Sequence, residues 1–174
     1  MMEGRPIFML SITALKAVRS RRIAALAVAA VAATAIAAPI ALANPGTGTS
    51  SVVLGHRATL SNDVMVNEDR IKFQTKDPTD IQMQTITFSP GATSGWHHHP
   101  GVILVIVETG QVTIFDEHCM VMETVTAGHS FVESGDDPMM VLNQGSTPAV
   151  VYNAQVAPAG SPFRVEDTPP ACAG

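Results

Sequence analysis

From residue 51 onward, apolar and polar residues alternate in short runs broken by Gly, Pro, Asp or Ser. A period of two marks strands rather than helices. The predicted strands are SVVLGHR (51–57), RIKFQT (70–75), DIQMQTITF (80–88), VILVIVE (102–108), QVTIF (111–115), VMETV (121–125), HSFVE (129–133), MMVLN (139–143) and PAVVYNAQV (148–156). Heptads, internal repeats and long amphipathic helices are lacking in this part of the sequence. Many short strands at such spacing predict an all-β sandwich or small barrel. Residues 102–107 are apolar at every position, which fits a strand covered by a second sheet or by a partner subunit. Glu108-Thr109-Gly110-Gln111 predicts the tight connection of a hairpin, with Gly110 free to take a positive φ. Residues 58–69 have mixed periodicity and fit either a loop or an irregular strand.

The first 43 residues follow another pattern. Arg5, Lys16, Arg19, Arg21 and Arg22 precede an uncharged Ala-rich run from Ile23 to Ala43, and Ala41-Leu42-Ala43 fits a small-x-small peptidase site. These features predict a signal peptide over 1–43, cleaved after Ala43, then a linker over 44–51, one domain over 52–168 and a tail over 169–174. The location implied is secreted or extracytoplasmic, with no membrane contact after cleavage. An uncleaved anchor is the alternative, although Ala is only weakly hydrophobic. SRRIAAL (20–26) loosely resembles a twin-arginine export setting.

Without residues 1–43, five basic residues (Arg57, Arg70, Lys72, Lys76 and Arg164) face 14 acidic ones, a net charge of −9 with histidines neutral. An acidic chain with so few cations is a poor fit to a phosphate backbone, so nucleic acid is not an expected partner. The two cysteines, Cys119 and Cys172, are expected to pair as a disulfide in an oxidising compartment. A loop of that length is stabilised by roughly 4 kcal/mol in the chain-entropy model. Two unrelated thiols are the other reading.

The stretch SPGATSGWHHHPG (89–101) resembles the first motif of the cupins, small barrels built from two short motifs on facing strands. That motif runs Gly, five residues, His-x-His, three or four residues, Glu, six residues, Gly. Gly91, His97, His99 and Gly110 match it, and Ile103 occupies the Glu position. In the second motif Gly128 and Asn143 keep their spacing, while Ser134 replaces a Pro, Asp136 a Gly and Met139 the metal-binding His. The similarity spans about residues 52–168, and is greatest to secreted bacterial single-domain cupins. It implies a single-domain cupin β-barrel, that is, a double-stranded β-helix or jelly roll.

His97 and His99 stand two apart on a presumed strand, so both project to one face, which the resemblance makes the barrel interior. His98 and Trp96 then point the other way. Two imidazoles suit a divalent first-row metal such as Mn, Fe, Ni, Cu or Zn, but a tight site wants a third ligand. Asp137 is the first candidate, because this cupin subgroup often has a histidine there. Glu133 and His129 are the alternatives. Each has an ordinary structural reading as well: Asp136-Asp137-Pro138 fits a turn, Glu133 and His129 fit a barrel rim, and Met139 and Met140 fit core or pocket lining.

Three functions compete on these residues: an exported barrel that binds a small-molecule ligand, with or without a divalent metal at His97 and His99; a metal-dependent oxygenase or isomerase on a small organic substrate; and a non-catalytic interaction or structural module that packs as a homodimer, with a decayed metal site. No Gly-x-Ser-x-Gly elbow or phosphate-cradling loop occurs.

Overall fold

The computed structural model describes residues 45–173, so the expected signal peptide and its cleavage point lie outside the described residues. The strands are β1 (Pro45–Leu60), β2 (Met65–Glu68), β3 (Ile71–Gln74), β4 (Thr79–Gly95), β5 (His97–Thr109), β6 (Gln111–Phe115), β7 (Val121–Thr126), β8 (Ser130–Leu142), β9 (Ala149–Pro158) and β10 (Val165–Glu166), followed by a short 3-10 turn at Ala171–Ala173. All pairings are antiparallel. The main sheet runs β1-β4-β9-β5-β8-β6-β7, with β10 against β5, and a bridge from Thr93 to Leu142 joins β4 back to β8. The ladder β4-β9-β5-β8 thereby closes on itself as a barrel. Among the described residues, no helix is long and apolar enough to cross a membrane.

Strict alternation decides what fills the interior. Ile103, Val105 and Val107 of β5 are buried, together with Phe88, Val112, Ile114, Phe131, Val141 and Val151 from the surrounding strands. Each such side chain contributes on the order of 2 kcal/mol through removal from water. The intervening Val102, Leu104 and Ile106 face outward and are exposed by 41%, 49% and 52%. The chain therefore covers only one face of the wholly apolar run.

Three local expectations change. Residues 45–51, expected as linker, begin β1 and pair along β4, for instance Thr49 with Phe88 and Ser51 with Ile86. The turn at Gly110 exists, with φ 74°, but no ladder joins β5 to β6 among the described residues. Instead the chain turns a barrel corner there, so that β5 pairs with β8 and β9 while β6 pairs with β7 and β8. A Cβ on Gly110 would lie 2.8 Å from the Pro148 carbonyl oxygen, which explains the glycine by close approach as well as by φ. Finally, the runs 129–133 and 139–143 belong to one strand, β8, that carries a bulge between them. Two steps along β5, from His97 to His99, correspond to four along β8, from Met139 to Gly135. Gly135 takes φ 97° and Pro138 has no N–H to give the ladder, so residues 136–138 leave the register.

Cys119 and Cys172 form the expected disulfide, tying the β6–β7 loop to the C-terminal turn. Such a bond fits an oxidising, extracytoplasmic setting.

Candidate metal centre in the barrel

His97 and His99 lie at the start of β5 and are both buried, 2% and 3% exposed, with their ring centroids 4.8 Å apart in a T-shaped arrangement. His98 between them points outward, where its ring contacts the Asp167 carboxylate at 2.8 Å. Trp96, expected on that outward side, is itself buried.

The backbone sets the tautomer of each inward imidazole. Nδ1–H of His97 donates to the Gly95 carbonyl at 2.9 Å, and Nδ1–H of His99 donates to the Phe163 carbonyl at 2.6 Å. A carbonyl can only accept, so each Nδ1 carries a proton, and in the neutral ring the lone pair is left on Nε2. This pattern, a ring N–H held by backbone while the other nitrogen faces the cavity, is typical of metal-ligating histidines.

Burial is the main reason that the His97 imidazole is held down to about 4, from an ordinary 6.5; the Arg164 guanidinium adds to the effect, opposed by the Glu133 carboxylate and by the bond to Gly95. His97 is therefore neutral, and able to ligate, at neutral pH. The same shift makes stability pH-dependent. The unfolded chain takes up the His97 proton near 6.5 while the folded chain resists until about 4, so the contribution is complete above 6.5 and is lost as pH falls toward 4. It amounts to roughly 3 kcal/mol. Thermal melts in chelator between pH 7 and 4 are expected to show a steeper acid decline for the native chain than for His97→Gln. Equal slopes would refute the assignment.

The third group is Glu133. One ligand atom from each of His97, His99 and Glu133 lies within 4.8 Å of the others, and all three residues are buried. Glu133 Oε2 lies 3.2 Å from His99 Nε2, yet that nitrogen makes no hydrogen bond. A lone pair facing a carboxylate without a bridging proton or cation is unfavourable, and burial sharpens the cost. Two imidazoles and one carboxylate are hard-to-borderline donors suited to a divalent first-row cation. The donor set thus fits such a metal.

Of the expected ligands, the pair is brought together and Glu133 joins it. Asp137 does not: it lies on the exposed bulge of β8, outside the cluster. Pro138 and Gly135 throw that segment out of the ladder, which is why a residue two positions from Met139 is far from the interior. His129 is likewise exposed, beside the Thr126 hydroxyl at 3.3 Å. Met139, opposite His97 in the β5–β8 register, is part of the apolar core. Glu133 reaches the site because it pairs directly with Ile103, the position that the first motif gives to Glu.

A cavity of about 50 Å³ adjoins the cluster, lined by the apolar Phe131, Val105 and Val151 and by the polar Gln84, Asn153 and Gln155. It shares Gln84, Ile86, Phe88, Ser94, Gln155 and Arg164 with a wider groove of about 490 Å³. Arg164 at this junction donates to both Glu166 carboxylate oxygens, at 2.5 and 2.9 Å, and to the Ser94 carbonyl. Residues 160–167 strap this side of the barrel. Asp80 accepts from Arg57, Thr59 and the Gly160 N–H, and Arg57 stacks 4.2 Å from the centre of the Phe163 ring, whose residue holds His99. The Asp80 carboxyl is accordingly held below its ordinary value, chiefly by the Thr59 hydroxyl and the Gly160 N–H. Asn153, Gln155 and the strap were not singled out from sequence. The usable signal was the in-phase placement of Asn153 and Gln155 with Val151 and Ala157 on β9, since polar residues on a buried face need a reason.

The first motif occupies the end of β4 and β5, the second occupies β8, and those two strands pair around one cavity in a closed antiparallel ladder. The fold is a closed antiparallel β-barrel of the kind that the cupin resemblance implies. No family model and no curated protein matches the chain. Among solved structures it is similar to a recombinant oxalate oxidase in complex with glycolate (22% identity over 49% of this chain and 45% of that one, TM-score 0.42). It is also similar to a cupin domain from Bordetella pertussis Tohama I (19%, covering 63% and 93%, TM-score 0.43). A third is an uncharacterized conserved protein with a double-stranded β-helix domain from Klebsiella pneumoniae (18%, covering 60% and 82%, TM-score 0.44). The match takes in less than half the length of the oxalate oxidase.

Proposed function

We propose that this chain is an exported member of the cupin superfamily whose barrel holds one divalent first-row metal through His97, His99 and Glu133 and takes a small organic ligand from the adjoining groove. The observation that carries this reading is the buried His99 Nε2, unpartnered although 3.2 Å from Glu133, in a ring whose other nitrogen is already committed to backbone. The Ala-rich N-terminal run and the disulfide support export. A second reading, a metal-dependent oxygenase or isomerase, is favoured by the two-histidine, one-carboxylate donor set, which leaves coordination positions open. A metal in such a set supplies Lewis-acid or redox chemistry. The protein's own part is to hold the His97 imidazole neutral, fix both rings through their Nδ1–H bonds to backbone, supply one carboxylate and shield the site with Phe131, Val105 and Val141.

The test is elemental analysis of the exported protein after exposure to Mn, Fe, Ni, Cu and Zn in turn, beside His97→Ala/His99→Ala. About one equivalent is expected in the native chain and almost none in the variant. Metal retained by the variant, or by neither protein, would refute the reading.

A further inference from the structure

Two buried side-chain atoms among the described residues lack a hydrogen-bond partner, His99 Nε2 and Asn153 Oδ1. Both belong to residues that line the same cavity. The first is explained by the donor set above; the second is not. Asn153 is 6% exposed and sits on β9, in register with Val105 of β5 and Gln84 of β4. An amide oxygen buried without a partner in the protein is costly unless something in the cavity pairs with it, and nothing in the packing requires it there: the neighbouring inward position along β9 is Val151. A group kept at such a cost is explained by a molecule that pairs with it.

We propose that Asn153 orients the ligand of this barrel, and that the ligand is a small molecule whose head carries an O–H or N–H donor. The donor follows from the bare acceptor. Arg164, the cationic side chain at the cavity, is already held by Glu166 and the Ser94 carbonyl, so Asn153 rather than Arg164 is the group free to orient a head there. Gln84 and Gln155 flank Asn153 with further neutral amides, while Ile86, Phe88 and Phe131 face the carbon part of the head. Size follows from volume: about 50 Å³ admits only a head group, and the rest of the molecule lies in the groove of about 490 Å³ beyond Gln84 and Arg164. This inference rests on the reading that the barrel takes a small ligand and is independent of the metal.

The test uses the native chain and Asn153→Leu, each metal-free and metal-loaded, with benzyl alcohol as the donor-bearing probe and benzyl fluoride as its donor-free match. Asn153→Leu is expected to melt at the same temperature as the native chain or higher, because an unpaired acceptor has been replaced by an apolar group of similar size. Its metal content should be unchanged. Benzyl alcohol, followed by chemical-shift titration, should bind it roughly tenfold more weakly, equivalent to about 1.4 kcal/mol, whereas benzyl fluoride should bind both proteins alike. A melting temperature lowered by several degrees would make Asn153 a structural residue and overturn the proposal. So would equal affinity of both proteins for benzyl alcohol, or no binding of it by the native chain. Since the titration is read on metal-free protein too, loss of metal binding alone would count against the metal centre and leave this proposal standing.

Discussion

Replacing Glu133 by isoleucine is expected to weaken metal binding by at least about a hundredfold while leaving the metal-free protein folded and no less stable. The first half follows from removing the only carboxylate of the donor set and one of its three ligand atoms. The second follows because an apolar side chain of similar volume replaces a buried charge, a change that is often neutral or stabilising. Ile103 makes the experiment sharper. It is the cross-strand partner of Glu133, fully buried, and both side chains point inward from paired strands. Directly opposed residues have their Cβ atoms about 5 Å apart. Adding Ile103→Glu to the Glu133→Ile background should therefore return a carboxylate to the same histidines and restore much of the lost affinity. Chelator competition measures all three proteins. An unaffected Glu133→Ile would remove this residue from the site, and a double variant as weak as the single one would show that the two positions are not interchangeable.

Asn143 carries the largest expected effect on stability. It is completely buried, and its amide N–H groups are shared among the carbonyls of Phe88, Ser89 and Thr147 at 3.0, 3.2 and 2.9 Å. Its Oδ1 accepts from the Gly145 N–H, and its backbone exchanges hydrogen bonds with Gly91 and Ala92. The residue thus rivets the end of β8 to β4, close to the single bridge that closes the barrel. Asn143→Ala leaves several buried groups unpaired and should cost about 3 kcal/mol. Asn143→Asp keeps the shape but turns a carboxylate toward three carbonyl oxygens, and should cost more, about 5 kcal/mol. Urea unfolding measures both. If Asp were tolerated as well as Ala, the amide donors would not be what holds this corner.

Much of this architecture was legible in the residues. Period-two alternation located most of the strands, and the His-x-His spacing located two inward imidazoles, because neighbours two apart on a strand share a face whatever surrounds them. The same local logic explains the errors. Asp136-Asp137-Pro138 has the composition of a turn and lies in a bulge within a long strand, and Glu108 to Gln111 has the composition of a hairpin and turns a corner between strands that do not pair. Composition reports the local bend, whereas the partner beyond the bend is set by the rest of the barrel.

The sequence by itself determined the all-β class, the cupin resemblance, the cysteine pair and the His97–His99 face. Only the tertiary structure decided which carboxylate accompanies them. Glu133 is 34 residues from His99 along the chain and adjacent across the β5–β8 ladder, and the bulge that follows it carries Asp137 out to solvent. Register is a property of two strands together. It arises from where Gly135 and Pro138 interrupt one ladder, and from the carbonyls of Gly95 and Phe163 that turn both imidazoles toward the same cavity.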